Sequence, residues 1–185
     1  MFDEVYDQFV DSFVAKMAAL KMGDPMDENV QVGPLATAGG KRDIVELVED
    51  AKAKGARVLC GGETPEGPGY YYPATVIDQL TDDMRLVMEE AFGPVATIYR
   101  VKDREEAIKV ANQTTFGLSS AIWSQDKAEQ DYFIEHLQAG AVFVNGMTIS
   151  YPELAFGGIK DSGFGRELSD AGIKEFCNLK TVWKA

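Results

Sequence analysis

Apolar residues recur along this chain first at helical spacing, then in alternating helical and strand patterns. Over residues 4 to 20, Val5, Phe9, Phe13, Met17 and Leu20 return every three or four positions, predicting an amphipathic helix with one apolar stripe. Asp3 is placed to cap it, and Met22-Gly23-Asp24-Pro25 ends it, with loop over 24 to 36. Residues 41 to 54 predict a second amphipathic helix with Ile44, Val45, Val48 and Ala51 on one face, closed by Gly55 in a left-handed position. Arg57 to Cys60 reads as a strand stopped by Gly61-Gly62, residues 63 to 70 as loop, and Tyr71 to Ile77 as a second strand. After Gly93-Pro94 the pattern alternates: strand 95 to 101, helix 103 to 113, strand 118 to 123, helix 126 to 138, strand 141 to 145. A helix near 167 to 176 and a strand near 179 to 184 complete the chain. Such alternation predicts the α/β class, a parallel sheet with flanking helices and right-handed crossovers.

Composition narrows the function. At 185 residues, with 45% hydrophobic residues and seven prolines, the chain fits one domain with a proper core. No apolar run approaches the roughly 20 residues of a membrane helix. The acidic start Met1-Phe2-Asp3-Glu4 lacks the features of a signal peptide, so the expected location is the cytoplasm. A net charge of −12 argues against nucleic acid and anionic membranes, which need clustered Lys and Arg. The acidic residues are scattered, as on a solvated surface. Cys60 and Cys177, far apart and outside any C-x-x-C spacing, suggest a reducing compartment and no structural metal. The single histidine, His136, has no neighbours in sequence from which to build a catalytic triad or a zinc site.

Three features carry candidate chemistry. Asn145 follows the apolar run Ala141-Val142-Phe143-Val144, at the strand end where α/β sheets bind ligands. Its favoured role is structural, since Asn is a common turn residue there. The pair Glu89-Glu90 stands before a Gly-Pro turn; paired carboxylates can do acid/base work, though most simply face solvent. Residues 157 to 165 hold four glycines, but Gly163-Phe164-Gly165 continues as Arg166-Glu167-Leu168, so neither G-x-G-x-x-G nor a Gly-Lys-Ser/Thr phosphate loop is present.

Two of these stretches carry a family resemblance. Ala155-Phe156-Gly157-Gly158-Ile159-Lys160-Asp161-Ser162-Gly163-Phe164-Gly165-Arg166-Glu167 resembles the closing signature of the aldehyde dehydrogenase superfamily, and Glu89-Glu90-Ala91-Phe92-Gly93-Pro94-Val95 precedes it in the order that family requires. The resemblance implies an aldehyde-dehydrogenase catalytic-domain fold and NAD or NADP as cofactor. It assigns Glu90 to accept hydrogen bonds from the ribose hydroxyls beside the nicotinamide, and Phe92 to pack near that end. Ala91 stands where larger apolar residues are common, a mild departure. Phe156 would line the aldehyde tunnel, with simple packing equally open, and Glu167 would be structural. The loop Gly146 to Ala155 corresponds to the family's substrate-choosing loop.

The chain's ending looks most like that of bacterial succinate-semialdehyde dehydrogenases, where a loop serine helps bind the distal carboxylate. Ser150 is the nearest match and Thr148 the second, a hydroxyl being a suitable donor to a carboxylate. The family's mechanism needs a cysteine nucleophile, a general-base glutamate and a dinucleotide-binding fold. None of these is expected among these residues, and Cys60 and Cys177 read as packing residues without activating neighbours. The implied organisation is a C-terminal portion of the catalytic domain over residues 1–178 and an oligomerisation strand in 179–185, whose residues 179–184 would join a second copy's sheet. The competing expectation is a non-catalytic homologue acting as an oligomerisation or interaction module.

Overall fold

A central strand decides the architecture of the first hundred residues. In the computed structural model, which describes residues 1–185, strand β2 (Thr75–Asp78) is buried along its whole length. It pairs antiparallel with β1 (Arg57–Cys60) on one side and parallel with β3 (Val95–Ile98) on the other. Successive side chains of a strand face opposite ways. Val76 therefore enters a cluster with Tyr6, Val10 and Ile98, while Ile77 enters another with Ile44, Leu47, Val48 and Ala51. Helix α1 (Asp3–Ala18) covers the first face and α2 (Ala38–Ala53) the second. Thr37 caps α2, its hydroxyl accepting from the Gly40 amide at 3.0 Å. Gly55, at φ 97°, follows the cap as expected.

The face that α1 buries differs from the expected stripe. Tyr6 and Val10 are buried and Phe13, Val14 and Met17 pack beside them, whereas Val5, Phe9 and Leu20 remain exposed. The reason is polar. Asp78 follows Val76 on the same side of β2, and its carboxylate accepts from the Tyr6 hydroxyl at 2.9 Å. A buried carboxylate needs such partners. Tyr6 supplies one and rotates the helix to do so. Asp3 lies within the helix rather than capping it; Phe2 occupies the cap position.

After β2 comes α3 (Arg85–Met88), a single turn that sequence periodicity does not reveal. Beyond Asp103 the chain forms a second compact unit, Arg104–Ala185. It contains α4 (Arg104–Asn112), β4 (Phe116–Gly117), β5 (Ser120–Ile122), α5 (Lys127–His136), β6 (Val142–Val144), β7 (Ile159–Lys160) and α6 (Ser169–Glu175). Strands β5 and β6 pair in parallel, and β4 pairs antiparallel with β7. Parallel pairing thus occurs within two of three small sheets rather than in one continuous sheet. Asp126 caps α5, accepting from the amides of Ala128 at 2.7 Å and Glu129 at 3.2 Å.

Residues 179 to 184 form no strand within this chain; Leu179, Val182 and Trp183 are exposed. A strand requires a pairing edge, and no segment of this chain supplies one there. No helix is long and apolar enough to cross a membrane.

Candidate functional site

The segment carrying Glu90 is built outward from α2. Met84 and Leu86 are buried against Ile44, Leu47 and Val48. Polar contacts then fix the short α3 turn to the longer helix. Asp50 accepts from the Arg85 amide at 2.9 Å, satisfying a donor at the start of α3 that no intrahelical carbonyl can reach. Lys54 pairs with Asp50 at 2.9 Å and also donates to the carbonyl of Asp83. The Arg85 amide, followed by Lys54, holds the Asp50 carboxyl below the usual carboxylate range.

The Arg85 side chain continues the chain of contacts. Its Nε donates to Glu89 Oε1 at 2.7 Å and its Nη2 to Glu89 Oε2 at 2.8 Å, with Glu46 3.6 Å from Nη1. Both Glu89 oxygens are taken, and the guanidinium lowers the Glu89 pKa. Glu89 leaves the turn in extended conformation, φ −96° and ψ 142°. Ala91 packs against the α2 cluster, while Glu90 and Phe92 on either side of it are exposed, Phe92 to 75%. Gly93 follows where a Cβ would lie 2.9 Å from both Cδ1 and Cγ1 of the buried Ile44. Only a glycine lets the backbone approach α2 this closely.

The Glu pair is therefore divided. Glu89 is a structural ion-pair partner, and the Glu90 carboxylate has no hydrogen-bonding or ionic partner within the chain. Glu90 and Phe92 stand one residue apart with the partly buried Ala91 between them. The Glu90 carboxylate is thus free to accept hydrogen bonds from outside the chain, two positions from the exposed Phe92 ring. The residue that sequence reasoning missed is Arg85. Its spacing of four from Glu89 was a legible signal, being the ion-pair spacing of a helix.

The second unit places the other candidates. Asn145, at φ 53°, donates its amide to the Ile122 carbonyl at 2.8 Å. Its Oδ1 accepts from Ser124 N at 3.0 Å and its Nδ2 donates to Ser124 O at 2.9 Å. The side chain thus ties together the ends of β5 and β6, the favoured structural role. Thr148 and Ser150 lie on the exposed loop that follows, with no hydrogen-bond partner in the chain for either hydroxyl. Phe156 is half-buried at the far end of that loop, pairing with Glu167 through two backbone bonds of 2.9 and 2.8 Å. Arg166 Nη1 donates to the carbonyls of Gly158 at 2.9 Å and Gly165 at 2.6 Å, closing the glycine-rich segment on itself. A Cβ on Gly140 would collide with the Gly157 carbonyl. Gly140 and Gly157 thus serve close backbone packing.

Other candidate chemistry is occupied. Cys60 is half-buried beside the Ala74 carbonyl, and burial pushes its thiol pKa up, opposite to what a nucleophile needs. His136 stacks on Tyr132 at 4.2 Å and its Nδ1 meets the Tyr132 carbonyl at 2.8 Å. A cavity of about 490 Å³ in the first unit is lined by Tyr6, Arg57, Asp78 and Arg100. Both of its guanidiniums are engaged: Arg57 with Asp78, and Arg100 with Asp3 and Asp7. A cleft of about 810 Å³ in the second unit is rimmed by Glu153, Glu167 and Asp170, a poor setting for an anionic group. No group of three or more His, Cys, Asp or Glu is placed to hold a metal ion.

Helices packed on short parallel and antiparallel sheets make this an α/β protein. More particularly, the chain belongs to the aldehyde dehydrogenase family, whose profile, "Aldehyde dehydrogenase family", matches residues 2–182. It is similar, at 59% identity over 180 residues, to succinate-semialdehyde dehydrogenase (NADP(+)) 1 of Mycobacterium ulcerans, covering 97% of this chain and 39% of that protein. The corresponding protein of Mycobacterium tuberculosis H37Rv is 56% identical over 182 residues, covering 98% and 40%. The crystal structure of succinic semialdehyde dehydrogenase from Streptococcus pyogenes in complex with NADP+ superimposes with a TM-score of 0.93 at 38% identity, over 99% of this chain and 40% of that one. Aldehyde dehydrogenase 21 of Physcomitrella patens, solved with the reaction product succinate, gives 0.89 at 33% identity, over 94% and 36%. The expected α/β fold of aldehyde-dehydrogenase type is thereby shown. The chain spans about two fifths of the length of the curated relatives it matches.

Proposed function

We propose that this chain forms the nicotinamide-ribose and substrate-loop portion of an NADP-dependent aldehyde dehydrogenase that oxidises succinate semialdehyde to succinate. The observation that carries it is the division of the Glu89-Glu90 pair, one carboxylate consumed by Arg85 and the other left free beside Phe92. The cofactor, when bound, supplies the hydride acceptor. Glu90 orients its ribose by accepting from two vicinal hydroxyls, and Phe92 packs against the nicotinamide end. Ser150, with Thr148 beside it in the loop, donates to the distal carboxylate of the substrate, and Phe156 lines the aldehyde's path. NADP rather than NAD is supported by the relatives at 56 to 59% identity, both succinate-semialdehyde dehydrogenases (NADP(+)).

Residues 1–178 then act as catalytic-domain structure, and 179–184 as the strand that joins a second copy. The exposed Leu179, Val182 and Trp183 support that assembly role, since apolar side chains of this size favour burial in an interface. Two free cysteines and an acidic surface suit a reducing cytoplasm. The test is NADPH formation by the full-length protein with a panel of aldehydes. Succinate semialdehyde is expected to give the highest kcat/KM. Equal rates across uncharged aliphatic aldehydes would overturn the substrate assignment, and no NADPH with any aldehyde would leave the interaction-module alternative.

A further inference from the structure

We propose that Arg85 is a positioning residue for the cofactor, and that its clamp on Glu89 is what turns Glu90 and Phe92 into a single ligand-facing edge. The proposal rests on the assignment of Glu90 to the nicotinamide ribose. Two adjacent carboxylates are a poor ribose site by themselves. They repel, either can accept from the sugar, and together they present two negative charges to a ligand rich in phosphate. Arg85 removes this ambiguity. Its fork fills both Glu89 oxygens at 2.7 and 2.8 Å, so Glu89 has its bidentate partner already and its charge is offset locally.

The clamp also transmits position. The Arg85 amide is held by Asp50 at 2.9 Å, and its guanidinium lies 3.6 Å from Glu46; both acids stand on α2. From Glu89 the backbone leaves in extended conformation, and Ala91 packs, partly buried, against the α2 cluster. Glu90 is thus set by a path from α2 through Arg85 and Glu89, with Gly93 seated on Ile44 as the second fixed point. Arg85 itself does not reach the ligand.

The experiment uses the full-length enzyme and compares Arg85→Ala, Arg85→Lys, the double variant Arg85→Ala/Glu89→Gln, and Glu90→Gln. Cofactor KM, aldehyde KM, kcat, the NADP Kd from protein fluorescence, and Tm are measured for each. Arg85→Ala is expected to raise cofactor KM and Kd by roughly tenfold, the scale of a small misplacement of a binding group, with aldehyde KM unchanged. Arg85→Lys should recover the charge but not the fork, and fall between. The double variant should recover part of the loss, because the unpaired Glu89 charge is then gone. An Arg85→Ala enzyme with lowered Tm and unchanged NADP Kd would show a merely structural residue and overturn the proposal. Should that variant not fold, Arg85→Lys decides on the same readouts: a raised NADP Kd supports the clamp and an unchanged one overturns it. Glu90→Gln separates the two ideas. If it raises cofactor KM while the Arg85 variants do not, the clamp fails and the ribose assignment stands. If it leaves cofactor KM unchanged, the ribose assignment fails and takes the clamp with it.

Discussion

Asn145 binds Ser124 twice, accepting from its amide and donating to its carbonyl, and so continues with a side chain the ladder that β5 and β6 build with backbone. The residue also adopts a positive φ of 53°, which Asn tolerates better than most side chains. These two contributions can be separated. Asn145→Gly keeps the backbone freedom and loses both side-chain bonds, at a cost of about 1 kcal/mol. Asn145→Ala loses the bonds and adds strain, so it should unfold at lower urea than Asn145→Gly. Equal midpoints for the two variants would show that the backbone conformation contributes nothing.

The Asp78 carboxylate is the most heavily partnered acid of the first unit. Arg57 donates to it at 2.9 and 2.5 Å and Tyr6 at 2.9 Å. The Arg57 bonds chiefly, against the opposing cost of burial, hold its pKa below the ordinary carboxylate value. A depressed folded-state pKa contributes stability above the unfolded value, about 3.9 for Asp, and that contribution is lost as pH falls through the folded one. Asp78→Ala should therefore cost about 2–3 kcal/mol near neutral pH, where it strands the Tyr6 hydroxyl. The difference from the unmodified protein should narrow below about pH 4. Urea midpoints across that range provide the check.

The contrast between α1 and α2 shows what the sequence could reveal. On α2 the periodicity names Ile44, Val45, Val48 and Ala51; three are buried and Val45 is partly buried against the same cluster, because an apolar face needs only the nearest apolar surface. On α1 the same periodicity picks Val5 and Phe9, which stay exposed, while Tyr6 is buried. Its partner, Asp78, lies 72 residues away, and no local pattern carries that information. The site divides in the same manner. The motifs single out Glu90, Phe92 and Phe156 as proposed contacts, but the distinction between Glu89 and Glu90 depends on Arg85, whose own position depends on Asp50. The strand expected over 179 to 184 was legible as β propensity, yet a strand forms only where an edge is offered.

Gly93 offers a test of whether the seat of the Glu90 segment matters to ligand binding. An added methyl would meet Ile44, which is itself 1% exposed, so one of the two must shift. Gly93→Ala should destabilise by about 1–3 kcal/mol, the usual range for overpacking. It should also raise the NADP Kd, since Glu90 and Phe92 precede it directly. Adding Ile44→Val shortens the opposing side chain and should restore part of both. A loss of stability with unchanged NADP affinity would separate the packing of this segment from its proposed role.

The hydroxyls of Ser150 and Thr148 are exposed and have no partner in the chain, so removing either leaves no buried group stranded. This makes the loop a clean place to test the proposed specificity. If Ser150 donates to the distal carboxylate of succinate semialdehyde, Ser150→Ala loses one hydrogen bond to a charged acceptor, worth about 1–2 kcal/mol or roughly tenfold in kcat/KM. Thr148→Ala should cost less. The loss must be confined to the charged substrate, because an uncharged aldehyde of the same length has no carboxylate to hold. Kinetics of the full-length enzyme with both aldehydes decide the matter. A parallel loss on both would place Ser150 in loop structure, and no loss on either would move carboxylate recognition to other residues of the protein.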